Sequence, residues 1–228
     1  YTTTVNITTD GISTDDIDRV ELRDASGNSL YMNGHKNAVT NTCEYSLTLL
    51  PHNTEYYIYI NGEKKSDSAV KFEQDNTVNI TYVHHTTSVK TYIDGELADV
   101  GTVTLGTTKM VRESVGSYSL VSTEQGTGDI YVDGVKLESG VSYGSNIECN
   151  YYTVTYKIPE DSSATGEVPV DEAIYYSGTA VKVQGQAGVV NGGMTFAGWA
   201  VEGEESSTTY AEGSSYTITK TSTLVPVW

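Results

Sequence analysis

Asp15, Asp16 and Asp18 share one loop ahead of Val20. Calcium takes ~6–8 oxygen ligands, and alternating carboxylates supply some of them. The loop has neither the glycine nor the distal glutamate of an EF-hand. A solvated turn is therefore its first reading and a calcium site its alternative. His84 and His85 invite a metal reading, but adjacent residues of an extended segment point in opposite directions. His35 and His52 read as lone loop residues, and no Cys, Asp or Glu spacing completes a zinc site. Glu204 and Glu205 lie in a Ser/Thr-rich stretch and read as solvated surface. The chain has no GxSxG, no GxxxxGK[ST] and no HExxH, so no catalytic residue is expected and the chain reads as a non-enzyme.

The two cysteines, Cys43 and Cys149, have no CxxC or Cys/His spacing. Cys43 shares strand parity with Tyr45, Leu47 and Leu49, and both thiols read as small buried hydrophobes. Trp199 and Trp228 could form a sugar-stacking platform or pack in a core. Tyr57 and Tyr59 are the better glycan candidates, and plain strand packing suits them equally well.

These residues need elements to hold them, and composition says which. There are 18 Tyr against 2 Phe, with 22 Gly. Tyr and Thr favour strands whose faces are half exposed, and glycine suits the turns between them. Hydrophobic residues make up 37%, which points to small modules with thin cores. The net charge of −17 repels phosphate backbones, so nucleic acid is not an expected partner. No apolar run approaches the ~18–20 residues needed to cross a bilayer, so no membrane insertion is expected within this segment. The sequence starts at Tyr1 with no initiator methionine, and any export signal or wall anchor is expected to lie elsewhere.

A repeat organises the first two thirds. Thr9-Asp10-Gly11, Val20-Glu21-Leu22, Tyr45-Ser46-Leu47, Ile58–Gly62 and Val78–Tyr82 recur in order. Their counterparts are Ile93-Asp94-Gly95, Val103-Thr104-Leu105, Tyr118-Ser119-Leu120, Ile130–Gly134 and Ile147–Tyr151. Tyr45 and Tyr118 are 73 positions apart, and Gly62 and Gly134 are 72 apart. Cys149 thus aligns with Ile80, and both sit on the apolar parity of the closing strand. Asp10-Gly11, Asn61-Gly62, Asp94-Gly95 and Asp133-Gly134 read as hairpin turns, because Asx and Gly accept positive φ. Period-two alternation between such turns argues β-sandwiches. The remaining third opens with Tyr152–Tyr156, continues with strand-like Ala180–Val183 and Tyr216–Thr219, and ends at Trp228. A short helical turn is expected near Asp171–Tyr175.

Residues 153–228 resemble the Listeria–Bacteroides repeat, the B-repeat of internalins. The resemblance rests on Tyr152–Tyr156, Gly166-Glu167-Val168-Pro169, Phe196-Ala197-Gly198-Trp199, Thr208-Thr209-Tyr210, Gly213 and Leu224–Trp228. Val225 stands where that family usually has an aromatic. The resemblance implies a small β-grasp-like domain of a secreted, multi-repeat surface protein, with Trp199 and Trp228 as core aromatics beside Phe196. The two earlier copies look like the prealbumin-like, Cna-B-like sandwiches of Gram-positive adhesins, through Leu50–Thr54 leading into Tyr57–Ile60. Some modules of that group carry a Lys–Asn isopeptide bond. Lys90 and Asn150 are the residues available for one, although alternation sets Asn150 opposite the Ile147/Cys149 face.

The expected architecture is all-β and elongated: sandwich repeats at 1–83 and 84–151, then a β-grasp-like module at 152–228. Short joints at Val83–Ser88 and Tyr151-Tyr152 suggest a semi-rigid, monomeric rod. The expected role is a non-catalytic stalk or adhesin segment at a bacterial cell surface, with no cofactor unless calcium binds. The alternatives are a glycan- or host-protein-binding module, or accessory domains of a secreted carbohydrate-active enzyme.

Overall fold

The computed structural model describes residues 1–123, 125–205 and 207–228. Among them the regular structure is strand throughout, save one turn of 3-10 helix at Thr14–Asp16. The chain is all-β, with several sheets in a sandwich-type arrangement. Its backbone forms two compact units. One holds Tyr1–Thr87, Val121–Thr127 and Ser142–Ser145; the other holds Ser88–Leu120, Gly128–Val141 and Asn146–Trp228.

The first unit contains β1 (Thr2–Asp10), β2 (Val20–Arg23), β3 (Ser29–Tyr31), β4 (Asn33–Asn37) and β5 (Thr42–Thr48). It continues with β6 (His52–Ile60), β7 (Glu63–Lys64), β8 (Val70–Phe72) and β9 (Asn76–Val83). One sheet runs β4-β5-β1-β9; the other runs β3-β2-β6-β7, with β8 also on β6. Alternation decides which residues face inward. Val5 and Ile7 of β1 and Cys43 and Tyr45 of β5 join Val20, Leu22, Ile58, Ile60 and Phe72 in one core. Each fully buried aliphatic or aromatic side chain there contributes roughly 1.5–3 kcal/mol. Between them Thr4, Asn6 and Thr8 point away from that core.

The remaining strands are β10 (His85–Ile93), β11 (Glu96–Leu97), β12 (Val103–Leu105), β13 (Thr108–Lys109), β14 (Val111–Ser114), β15 (Ser117–Ser122) and β16 (Thr127–Val132). After them come β17 (Val135–Ser142), β18 (Asn146–Tyr156), β19 (Ile174–Tyr176), β20 (Ala180–Lys182), β21 (Gly198–Val201), β22 (Ser215–Thr217) and β23 (Ser222–Val227). The order β14-β15-β10-β18 repeats β4-β5-β1-β9, and β13-β12-β16-β17 repeats β3-β2-β6-β7. The parallel pairs also match: Thr9 sits opposite Tyr82, and Ile93 sits opposite Tyr151. The four-strand order of each sheet thus recurs in the two segments that share the five sequence landmarks, with β8, β11 and β19 outside the repeated order.

Three of the four Asx-Gly pairs expected to be hairpin turns form two-residue turns. Asn61, Asp94 and Asp133 hold φ of 50, 52 and 47°, each followed by a positive-φ glycine. Asp10-Gly11 departs from expectation: Asp10 ends β1, and only Gly11 has positive φ. No strand comes directly after it to fold back. The chain instead drops Ile17 into the core, fully buried, after the Thr14–Asp16 turn. The helical turn expected at Asp171–Tyr175 is also absent. Asp171 Oδ1 accepts the Ala173 amide, an Asx-turn contact, and Ile174–Tyr176 pairs with β18 as a strand.

Strand β18 links the second repeat to the last module. Its residues Asn146–Tyr151 pair in parallel with β10, and Val154–Tyr156 pair in parallel with β23. Beyond this strand, Trp199, Val181, Val183, Ile218 and Leu224 form a separate buried cluster with Val154 and Tyr156. Gly198 has φ 147°, and a side chain there would meet the Tyr210 carbonyl at 2.5 Å. That close approach lets Trp199 and Tyr210 exchange backbone hydrogen bonds of 2.9 and 2.7 Å. The glycine of the Phe-Ala-Gly-Trp motif therefore has a packing reason.

Candidate functional site

Each residue singled out from the sequence has a defined place. Asp15, Asp16 and Asp18 are exposed on the turn after β1. The Asp16 carboxylate accepts the Ser13 amide, and Ser13 Oγ accepts the Asp15 amide, which together cap the turn. Asn61 holds the same loop by accepting the Asp18 and Arg19 amides at 2.8 and 3.2 Å. Among the described residues, no three His, Cys, Asp or Glu side chains gather as metal ligands. His85 pairs with Asp10 at 3.5 Å. His35 lies in edge strand β4. His52 is not a lone loop residue: it begins β6, stacks on Phe72 at 5.3 Å, and its Nε2 lies 3.1 Å from Tyr56 Oη. The sequence hid that role because Phe72 is twenty positions away.

Cys43 and Cys149 are buried free thiols. Burial raises both, the Cys149 thiol to about 11. Both should therefore ignore a thiol reagent at pH 8 in the native protein and react fully in denaturant. Native-state labelling at the denatured rate would disprove this placement. Lys90 is exposed on β10 opposite Glu148, while Asn150 stands opposite Tyr92.

The two tryptophans belong to one aromatic cluster. Trp199 is fully buried, with Tyr156 and Phe196 edge-on at 4.8 and 5.4 Å. Trp228 is partly buried and lies 5.7 Å from Phe196. Tyr57 and Tyr59 are half-buried, and cations cover their rings. Lys64 Nζ sits 3.7 Å from the Tyr57 centroid, and the Arg23 guanidinium sits 4.4 Å from that of Tyr59. Each ring is thus engaged by an electrostatic contact of its own quadrupole.

That outer face holds a group that no sequence motif marked. Glu21 points away from the Val20/Leu22 core, yet only 1% of it is exposed. Arg23 donates a short hydrogen bond to its carboxylate, and Arg19 lies 3.7 Å away. Burial pushes Glu21 up, but hydrogen bonds from Arg23 and Ser29, with the charges of Arg23 and Arg19, outweigh it and hold the carboxyl below its ordinary range. The signal was present as Glu-x-Arg in β2 facing Tyr-x-Tyr in β6, both at period two.

In the second unit, Arg112 clamps Asp99 through Nε and Nη2 at 3.0 and 2.8 Å, beside a groove lined by Val103, Met110 and Tyr118. That guanidinium and the Gly116 amide hold Asp99 down at about 2. A second carboxylate, Asp94, accepts the Thr153 amide at 2.9 Å, the Thr153 hydroxyl at 2.6 Å and the Thr221 hydroxyl. Burial raises Asp94, and these three donors bring it below its ordinary value. Asp94→Ala should cost about 1 kcal/mol, less than a buried bond to a charged group because Asp94 is exposed. Urea unfolding of the variant measures it, and an unchanged midpoint would show that the clamp contributes nothing.

Every displaced titration in these residues moves away from neutrality. Carboxyls go down, thiols and phenols go up, and Arg112 goes up. Proton transfer near pH 7 is best served by a group poised near that pH, and these groups are fixed in one state there.

No protein-family model matches the chain, and no curated protein matches it. Among solved structures, the Bacillus anthracis TIE protein is similar at 12% identity, over 65% of this chain and 33% of that one. The chain thus spans about a third of that protein's length. The TM-score is 0.22, a likeness that carries no argument about fold or role.

Proposed function

We propose that this chain is a non-catalytic spacing and presenting segment of a secreted bacterial cell-surface protein. The observation that carries the reading is strand β18, which runs without a break from the second repeat into the last module. Asp94 ties the hairpin of one to Thr153 and Thr221 of the other. A continuous strand and a three-donor clamp resist bending, which suits a part that transmits position rather than performs chemistry. The carboxyls of Glu21, Asp94 and Asp99, held down by their partners, and the buried thiols of Cys43 and Cys149, pushed up, support the same reading, as does the resemblance of residues 153–228 to the Listeria–Bacteroides repeat. Host proteins or glycans are the proposed partners of the parent protein, and the chain is proposed to be extracellular and monomeric. Cations covering Tyr57 and Tyr59 weigh against an open sugar platform there.

Small-angle X-ray scattering of the intact chain tests the stalk reading. It expects a distance distribution with a long tail and a monomer mass near 24.6 kDa. A compact, symmetric distribution would remove it.

A further inference from the structure

We propose that the β9 edge of the first unit accepts an extended strand from another polypeptide, added antiparallel, uncharged or basic, and carrying an aromatic side chain. Strand β9 ends its sheet, and among the described residues it pairs only with β1. The ladder to β1 is continuous from Asn76 to Val83, with no bulge and no proline. Its eight residues, Asn-Thr-Val-Asn-Ile-Thr-Tyr-Val, include no charge. Edge strands ordinarily carry charges, bulges or prolines that discourage added strands. Three other edges do: β4 has Lys36, β14 has Arg112 and Glu113, and β17 has Lys136 and Glu138, while the uncharged edge β3 is only three residues long.

A groove of about 500 Å³ runs along this edge, lined by Ser66, Asp67, Ala69, Asn76, Val78 and Ile80. Val78 and Ile80 are only partly buried at its floor. The second repeat shows what belongs there. Its equivalent strand, β18, is joined on the outer side over Tyr151–Thr153, the counterparts of Tyr82–His84, by the antiparallel strand β19, with Tyr151 opposite Tyr176. The Tyr176 ring meets the Tyr151 ring edge-on at 5.4 Å, and its hydroxyl donates to Glu138 of β17 at 2.6 Å. Tyr176 thereby closes the seam between the two sheets, and Cys149 beneath is fully buried. Ile80, the counterpart of Cys149, lacks that cover.

In the first repeat the place above Tyr82, the counterpart of Tyr151, is held by Lys65. Its ammonium lies 4.8 Å from the Tyr82 centroid and 2.8 Å from Glu63. A long, single-stemmed side chain can swing aside, whereas a paired strand cannot. Strand addition supplies backbone hydrogen bonds for affinity and alternate side-chain pockets for selectivity. The chain's charge of −17 repels an acidic strand and admits a neutral or basic one.

The probe is a synthetic peptide of residues Ala173–Thr179 with one added C-terminal lysine, titrated into the ¹⁵N-labelled chain. Saturable shifts at the amides of Asn76–Val83, with slowed hydrogen exchange there, are expected. A peptide carrying Tyr176→Ala should bind about tenfold more weakly, a difference of about 1.4 kcal/mol. A peptide N-methylated at alternate amides should not bind. The proposal is overturned by absent shifts, by shifts confined to Asn146–Thr153, or by equal binding of the N-methylated peptide. Sedimentation showing a dimer that pairs β9 with β9 would overturn it as well, by assigning the edge to a second copy.

Discussion

Replacing Trp199 with alanine should lower the stability of the second unit by about 3–5 kcal/mol, the usual range for removing a buried aromatic. The side chain is fully buried and sits between Tyr156 and Phe196. Its indole N–H also donates to the Gly185 carbonyl at 3.3 Å. Truncation therefore leaves a cavity and an acceptor without its donor. Neighbours cannot collapse easily, since Gly198 and Tyr210 are locked in close backbone contact beside it. Urea unfolding followed by circular dichroism reads the loss as a midpoint lowered by about 2 M, given a slope of ~2 kcal/mol/M. Trp199→Phe should recover most of it. A midpoint unchanged in the alanine variant would show that this aromatic cluster does not hold the module together.

The second large effect concerns Glu21. Arg23→Met should destabilise the first unit by about 2–4 kcal/mol, because it strands a buried carboxylate. The figure sits toward the low end because Arg19 stays at 3.7 Å. Combining it with Glu21→Gln should restore most of the loss, since no buried charge then remains. The pH dependence fixes the sign. Glu21 is held below its ordinary value of 4.5 in the folded protein. Its stabilising share is therefore complete above 4.5 and fades as pH falls through the folded value. In Arg23→Met the burial effect acts with one partner gone, so protonation relieves the strain. The gap between variant and wild type should narrow on acidification. A gap that stays constant with pH would mean that Arg23 stabilises by packing over Tyr59 and not through the carboxylate.

Much of the architecture was legible because it depends on local rules. Alternation in Val5-Asn6-Ile7 and Tyr56–Ile60 set the buried faces, since successive residues of a strand must point opposite ways. Asn61-Gly62, Asp94-Gly95 and Asp133-Gly134 set their turns, since few other residue pairs accept two positive φ values in a row. The same rule failed at Asp10-Gly11, where the decisive fact was a missing return strand. It failed differently at Asp171–Tyr175, where pairing with β18 outweighed a local preference.

The sequence by itself determined the strand character, three of the four hairpin turns, the duplication and the inward parity of Cys43 and Cys149. All of these depend on one residue and its near neighbours. Tertiary structure alone decided that Glu21 is a buried ion on an outer face and that His52 is stacked on Phe72. It also decided that Asp94 binds Thr221 and that β19 shelters Cys149 while Ile80 keeps an open flank. Each of those depends on which distant strands lie side by side, and a period-two pattern fixes a side chain's face but never the identity of the neighbour across the sheet.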